Sequence, residues 1–186
     1  MRVIAGRFGG RRLMAPRGSG TRPTADRVRE ALFSMLGPVE GVNVLDLFAG
    51  TGALGIEALS RGAAAVVFVE RDRDALAALN DNLAALGLQE EGGAQVQVRS
   101  RDALAALADA LARRETYDLV FLDPPYAQAQ ALGPRLAQDL PRLLSPGGTV
   151  VVEADHRAPL AIGLPVRRQR RYGDTSITIH FSDERR

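Results

Sequence analysis

The sequence predicts an α/β fold with one mostly parallel sheet of seven strands, the last of which is antiparallel. Strand and helix patterns alternate from residue 42 onward, as they do in parallel sheets that carry helices on both faces. Two strand patterns at the C-terminal end are separated by Gly173-Asp174, which favours a hairpin turn. The 186 residues suit one domain with a complete core, because domains commonly hold about 100–200 residues.

Residues 1–21 are predicted to form a basic N-terminal arm ahead of the main domain at 22–186. Within the arm, Gly9-Gly10 separates the apolar pairs Val3-Ile4 and Leu13-Met14, and this pattern predicts a short β-hairpin. Two roles of the arm are open at this point. It either serves a binding partner, or it packs against the domain and stabilises the fold.

The other elements are predicted from the period of the apolar residues, which is about 3.6 in helices and about 2 in half-buried strands. Thr24 is predicted to cap a first helix, which continues to Leu36 and ends at Gly37-Pro38. Further helices are predicted at 50–62, 74–86, 102–113 and 132–144. Strands are predicted at 42–47, 64–69, 95–99, 117–122, 149–153, 166–172 and 175–181.

The composition excludes several classes of function. The sequence has no cysteine, and its two histidines, His156 and His180, are isolated, so we expect neither thiol chemistry nor a metal site. No apolar stretch approaches the length of about 20 residues that spans a membrane. Residues 1–7 also lack the apolar core of a secretory signal. We therefore expect a cytoplasmic protein that binds no membrane, and we expect it to be a monomer.

Arginine is clustered in two segments, although the net charge is only +2 and all 24 basic residues are arginine. Residues 1–22 hold six arginines and no acid, and residues 165–172 hold four arginines and no acid. Such clusters beside a nearly neutral body are typical of proteins that bind a phosphate-rich partner. An ordinary solvated surface is the alternative interpretation.

The first strand of the main domain leads into a glycine-rich loop from Asp46 to Gly55, which predicts a ligand site at the carboxyl end of the sheet. Gly50, Gly52 and Gly55 fit the dinucleotide pattern G-x-G-x-x-G. Glu70 lies 20 residues beyond Gly50, where a ribose-binding acid would sit, so an NAD-binding oxidoreductase is one interpretation. The loop has no basic residue, and Asp46 could hold a cationic group, which favours a ligand without phosphate.

The segment Asp123-Pro124-Pro125-Tyr126 follows a later predicted strand and indicates chemistry on an amino group. The exocyclic amine of a nucleobase is a poor nucleophile, because its lone pair is delocalised into the ring. The Asp123 carboxylate and the Pro124 carbonyl could accept its hydrogens, and the prolines fix the direction of these oxygens. Tyr126 offers a flat face on which a base can stack. A rigid turn is the alternative interpretation, and a dehydrogenase has no evident use for this motif.

Segments along nearly the whole chain match the pattern of one family. They are Arg2-Val3-Ile4-Ala5-Gly6, Gly10-Arg11-Arg12-Leu13, Arg22-Pro23-Thr24, Asp26-Arg27-Val28-Arg29-Glu30-Ala31-Leu32-Phe33, Leu45-Asp46-Leu47-Phe48-Ala49-Gly50-Thr51-Gly52, Asp123-Pro124-Pro125-Tyr126 and Arg171-Tyr172-Gly173-Asp174-Thr175. With these segments the chain resembles the Rossmann-like class I methyltransferases that modify amino groups, and more closely the bacterial 16S ribosomal RNA guanine-N2 methyltransferase family. The glycine loop is common to the superfamily, whereas the arm and the closing motif are typical of this family.

The resemblance implies that S-adenosylmethionine is the methyl donor and that the substrate is 16S rRNA, within a small ribosomal subunit particle. It implies that the cofactor is bound by Arg22, Pro23, Thr24, Asp46, Phe48, Gly50, Gly52, Glu70 and Asp102. It also implies that the target guanine is held by Asp123, Pro124 and Tyr126. We expect the RNA to contact the two arginine clusters at Arg2, Arg7, Arg11, Arg12, Arg167, Arg168, Arg170 and Arg171.

One departure from the family pattern concerns Asp102. A charged residue, Arg101, directly precedes it, so Asp102 either contacts the adenine amino group or only caps the helix that follows. Three other functions remain open for the whole chain. They are a DNA adenine-N6 or cytosine-N4 methyltransferase, an NAD-binding oxidoreductase, and a non-catalytic RNA-binding subunit on a methyltransferase fold.

Overall fold

The computed structural model describes residues 1–15, 26–88 and 95–182, without the side chains of residues 95 and 126–130. The helices are α1 (Asp26–Leu36), α2 (Ala53–Ser60), α3 (Arg73–Ala85), α4 (Ala103–Ala112) and α5 (Tyr126–Asp139), followed by a 3-10 turn at Leu140–Arg142. The strands are β1 (Asn43–Asp46), β2 (Ala65–Glu70), β3 (Gln95–Ser100), β4 (Tyr117–Leu122), β5 (Leu144–Asp155), β6 (Val166–Tyr172) and β7 (Thr175–Phe181).

The strands form one sheet in the order β3-β2-β1-β4-β5-β7-β6. Strands β1 to β5 pair in parallel, and β7 pairs antiparallel with both β5 and β6. The predicted mostly parallel sheet with an antiparallel last strand is confirmed. Because β7 lies between β5 and β6, strand β6 runs in the same direction as β1 to β5, so its carboxyl end lies at the same edge of the sheet as theirs.

Helices cover both faces of the sheet and produce two apolar cores. One core joins α1, α2 and α3 to the sheet and to the N-terminal arm, and the other lies under α4 and α5. In α4, the buried residues Ala103, Ala106, Leu107 and Ala110 recur at helical spacing, which gives the helix one apolar side toward the sheet. This burial on both faces explains why the central strands read as continuous apolar runs.

The helix predicted at 132–144 and the strand predicted at 149–153 differ from the structure. The helix α5 begins at Tyr126, directly after Pro125, and it keeps Pro134 within its length. The strand β5 begins at Leu144, because Leu144 pairs with Tyr117 and an irregularity in the register separates that pair from Leu119 with Thr149. Gly133-Pro134 and Gly147-Gly148 resemble loop signals in the sequence, but α5 continues through the first pair and β5 extends across the second.

The N-terminal arm folds back on itself and packs against the body. Arg2 and Arg12 form an isolated antiparallel bridge rather than the paired strands of a longer hairpin. Val3, Phe8 and Leu13 are buried in the core shared by α1, α2 and α3. Of the two roles considered for the arm, the stabilising one is therefore present, while the exposed arginines remain available for a partner.

Candidate active site

The sheet order places the predicted site residues at one edge. Strand β1 lies between β2 and β4, and the chain crosses from one side of β1 to the other between β3 and β4. Ligands in open parallel sheets bind outside the carboxyl ends of the strands at such a reversal. Asp46 ends β1, Glu70 ends β2 and Asp123 directly follows β4. The structure therefore brings together three acids that are far apart in the sequence.

The glycine loop between β1 and α2 is shaped by positions that exclude side chains. Gly50 and Gly52 have positive φ angles of 56° and 82°. A Cβ atom at Gly52 would lie 2.4 Å from Leu79 Cδ1, and one at Gly55 would lie 2.3 Å from Phe68 Cε1. A Cβ atom at Gly50 would meet no described atom within 4 Å. Gly52 and Gly55 thus allow close packing of the loop, whereas Gly50 leaves open space beside it.

The Glu70 carboxylate is fixed by backbone donors. Its Oε2 accepts the Gly50 N–H at 2.8 Å, and its Oε1 accepts the N–H groups of Arg71 at 2.7 Å and Asp72 at 2.8 Å. Each carboxylate oxygen can accept more than one hydrogen bond. Glu70 therefore ties the end of β2 to the glycine loop and keeps acceptor capacity for the two hydroxyls of a ribose.

Among the described residues, Asp46 is a buried acid with few neighbouring groups that would stabilise its negative charge. The residue is 3% exposed, and its Oδ2 accepts the Gly55 N–H at 3.0 Å. Burial raises the pKa of Asp46 to about 7; the Gly55 hydrogen bond acts in the opposite direction, and the negative charge of Glu70 adds to the rise. A cationic ligand group near Asp46 would favour its ionised form.

Asp123 lies next to β1, two residues beyond the partner of Asp46, which is Phe121. Burial of its carboxyl group is the main cause that raises the pKa of Asp123 well above its usual range, and the charges of Glu153 and Asp46 add to it. Pro124, the next residue in the chain, is buried. Tyr126 begins α5, but its side chain lies outside the described part of the structure.

The structure describes only some of the other residues that were predicted to bind the cofactor. Asp102 caps α4 through its Oδ1, which accepts the Leu104 N–H at 2.9 Å, while its Oδ2 pairs with Arg71 Nη1 at 3.1 Å. The capping role is thus observed, and the adenine contact stays a prediction. Phe48 is half-buried against the core under α4 and α5. Arg22, Pro23 and Thr24 lie outside the described residues.

The predicted RNA-binding arginines are exposed in both clusters. In the arm, Arg2 pairs with Asp26 at 3.5 Å, and the Arg7 guanidinium lies over the Phe8 ring. The second cluster occupies β6, whose residues Val166 to Arg171 are all exposed. Within it, Arg168 Nη1 donates to the Met35 carbonyl at 3.3 Å and Arg171 Nε to the Gly173 carbonyl at 2.7 Å.

Two buried polar residues that sequence reasoning missed hold the arm beside the site. Glu57, on α2, accepts the N–H groups of Ile4 at 2.7 Å and Ala5 at 3.1 Å. Asn82, on α3, is 2% exposed and hydrogen-bonds to Met14 and Thr51. The available signal was a polar residue within an apolar helical segment, since such residues are buried only when they are paired.

Comparisons with known proteins agree with this arrangement. A family model described as "Conserved hypothetical protein 95" matches residues 1–181. The chain belongs to this family. One relative is the Ribosomal RNA small subunit methyltransferase D of Escherichia coli (strain K12), which is 41% identical over 156 residues, covering 83% of this chain and 71% of that protein.

Solved structures share the fold. The hypothetical protein TTHA0928 of Thermus thermophilus has a TM-score of 0.80 and 30% identity, over 97% of this chain and 98% of that chain. The methyltransferase-like structure SMU.776, solved with SAH, has a TM-score of 0.69 and 20% identity, over 87% of this chain and 50% of that chain. The fold is therefore the Rossmann-like one, and this member of the family is an S-adenosylmethionine-dependent methyltransferase.

The residues present fit this cofactor. S-adenosylmethionine carries a ribose diol and cationic groups, which suit the acceptors of Glu70 and the buried carboxyl group of Asp46. The loop from Asp46 to Gly55 contains no basic residue, as suits a ligand without phosphate. The oxidoreductase interpretation is wrong, because the relatives of this family are named methyltransferases. Among the described residues there is no acidic or histidine group that could hold a metal ion. No described helix is long and apolar enough to span a membrane.

Proposed function

We propose that the protein methylates the exocyclic N2 amino group of a guanine in 16S rRNA, and that its substrate is a small ribosomal subunit particle. The observation that carries this proposal is the position of Asp123 and Pro124, at the carboxyl end of β4 and next to the glycine loop that follows β1. The name of the Escherichia coli relative, which refers to small-subunit ribosomal RNA, supports the choice of substrate.

The chain's own residues would orient the amine. When bound, S-adenosylmethionine supplies an electrophilic methyl group. The Asp123 carboxylate would accept one N–H of the guanine amine and the Pro124 carbonyl the other, which aligns the nitrogen for the reaction. The methylated amine loses its conjugation with the ring and becomes strongly acidic, so it can pass its proton to the Asp123 carboxylate or to water without a base of matched pKa.

Binding of the base and of the cofactor would involve neighbouring segments. Tyr126 follows Asp123 by three residues at the start of α5, and its ring would stack on the guanine, a contact worth about 1–3 kcal/mol per base. Residues 16–25 connect Met14, which is tied to the glycine loop through Asn82, to the start of α1. From the family resemblance, we propose that Arg22, Pro23 and Thr24 bind the methionine end of the cofactor and that Asp102 contacts the adenine.

The exposed arginines of β6 support a nucleic-acid substrate. Arg170 pairs with Ile177, which in turn pairs with Glu153 on β5, so Arg170 lies at the level of the site. Three strand spacings separate it from β4, or about 14 Å, because neighbouring strands lie about 4.8 Å apart. Arginine binds phosphate in a bidentate manner and stacks on exposed bases. The exposed arm residues Arg11 and Arg12 would hold another part of the RNA.

A methyl-transfer assay tests the proposal. The protein is incubated with labelled S-adenosylmethionine and with unmodified small-subunit RNA, either free or assembled into particles, and the digested RNA is analysed for modified nucleosides. We expect N2-methylguanosine, formed faster with particles than with free RNA. Methylated adenine or cytosine in DNA, without product in RNA, would instead support the DNA methyltransferase alternative. Asp81→Asn, at an exposed position of α3, is the charge-matched control for Asp123→Asn.

A further inference from the structure

The side chain of Asn82 connects the N-terminal arm to the cofactor loop. Its Oδ1 accepts the Met14 N–H at 2.7 Å, and its Nδ2 donates to the Met14 carbonyl at 3.2 Å and to the Thr51 carbonyl at 3.1 Å. Thr51 lies between Gly50 and Gly52. One buried amide thus holds both backbone polar groups of an arm residue and one carbonyl of the loop.

The arm and the loop are joined at a second place, through α2. Glu57 accepts the N–H groups of Ile4 and Ala5, while Ser60 accepts the Phe8 N–H on its Oγ at 2.9 Å and the Arg7 N–H on its carbonyl at 2.7 Å. Helix α2 begins directly after the glycine loop. The arm is consequently anchored on the two helices, α2 and α3, that flank the loop, and only Asn82 among these anchors bonds to the loop itself within the described residues.

We propose that Asn82 is a positioning residue that couples the order of the arm to cofactor binding. S-adenosylmethionine that bonds to the loop restricts Thr51, and Asn82 transmits this restriction to Met14 and the arm. Coupling of this kind is reciprocal, so an arm that is held by RNA would raise the affinity for the cofactor by the same factor. The effect of RNA on cofactor affinity rests on the proposed function, whereas the effect of the cofactor on the order of the arm does not.

Three variants distinguish coupling between the arm and the cofactor site from a purely stabilising role of Asn82. Asn82→Asp keeps an acceptor for the Met14 N–H but removes both donors of the amide. Met14→Pro removes the N–H group that donates to Asn82 Oδ1, and Met14 is 49% exposed. Gln138→Glu, at an exposed position of α5, makes the same change from amide to acid and is the control for Asn82→Asp.

Hydrogen–deuterium exchange of the full chain, with and without S-adenosylmethionine, measures the effect of the cofactor on the order of the arm. In the wild type and in Gln138→Glu, we expect the cofactor to slow exchange in residues 1–15 about fivefold, which corresponds to about one net hydrogen bond. In Asn82→Asp and Met14→Pro, the cofactor should leave this exchange unchanged. If the cofactor slowed arm exchange equally in all variants, with only the melting temperature reduced, Asn82 would have a merely structural role and the proposal would fail.

Calorimetry measures the effect of RNA on the affinity for the cofactor. The dissociation constant of S-adenosylmethionine is determined with and without a saturating amount of unmodified small-subunit RNA. We expect RNA to tighten cofactor binding about fivefold in the wild type, and to have no effect on it in Asn82→Asp. RNA that is methylated but leaves the cofactor affinity unchanged in the wild type would overturn the coupling alone. Small-subunit RNA that is neither bound nor methylated, whether free or assembled into particles, would overturn the proposed function, and the exchange experiment would still test the effect of the cofactor on the arm.

Discussion

Binding of S-adenosylmethionine should depend on pH through Asp46. In the free protein the pKa of Asp46 is about 7, mainly because the residue is buried. Cationic groups of the cofactor favour the carboxylate form, so binding must release the proton from those molecules in which Asp46 is neutral. The affinity should therefore rise with pH up to about 7 and level off above it.

The pKa sets the size of this effect. With a pKa of about 7, the ionised fraction of Asp46 is about nine-tenths at pH 8 and about one-tenth at pH 6. The dissociation constant should therefore be about tenfold higher at pH 6 than at pH 8, provided that the bound form stays ionised. The stability of the free protein has the opposite trend. Because the folded pKa is raised from 3.8, the folded state binds the proton more tightly than the unfolded chain, and Asp46 lowers stability as pH rises from about 4 to 7.

Isothermal titration calorimetry at pH 6, 7 and 8 and constant ionic strength tests the assignment to Asp46. The Asp46→Asn variant should bind more weakly at pH 8 and should lose the slope between pH 6 and 8, whereas Asp81→Asn should keep it. The amino group of the cofactor also titrates near this range and contributes equally to every variant, so the slope that Asp46→Asn should lose is the part in excess of this contribution. A slope as steep in Asp46→Asn as in the wild type would refute the reasoning and would point to Asp123 or Glu153, the other acids near the site.

Three further outcomes follow from the site and its supports. Asp123→Asn should lower single-turnover methylation by on the order of a hundredfold, because the amine loses its orientation, while calorimetry shows nearly unchanged cofactor affinity. Glu57→Ala should lower the free energy of unfolding by roughly 3–5 kcal/mol in urea titrations, since it removes the acceptor of the Ile4 and Ala5 N–H groups and leaves the fully buried Arg29 with only the more exposed Asp26 as its carboxylate partner among the described residues. Arg170→Gln should make the salt dependence of RNA binding shallower by about 0.7 log units per log unit of salt, if the RNA there is single-stranded.

Each of these outcomes has a control. Asp81→Asn should retain full single-turnover methylation, and loss of cofactor binding in Asp123→Asn would contradict the orienting role. A Glu57→Ala protein that unfolds at the wild-type urea concentration would show that the arm is not held by this carboxylate. Arg113→Gln lies after α4, at the amino edge of the sheet opposite the site, and should leave the salt dependence unchanged. If both arginine variants gave the same slope, β6 would have no specific role in binding RNA.

Local patterns were sufficient for the parts of the fold that depend on neighbours in the chain. The strands β6 and β7 were predicted with the bounds that the structure has, because Gly173-Asp174 fixes their turn. Asp46, Glu70 and Asp123 could be assigned to one edge because the carboxyl ends of parallel strands always meet there. The family resemblance added the methyl donor, which the glycine loop alone left open.

The tertiary structure decided the features that depend on residues distant in the sequence. The arm looks like a surface hairpin by itself, and only packing against α1 and α2 shows that Val3, Phe8 and Leu13 belong to the core. The start of α5 was missed because Asp-Pro-Pro-Tyr is a loop signal locally. The sequence alone predicted which residues carry the chemistry of the site. Only the fold determined the pKa of Asp46 and the contacts of Asn82, since burial and hydrogen bonding arise from neighbours that no local pattern contains.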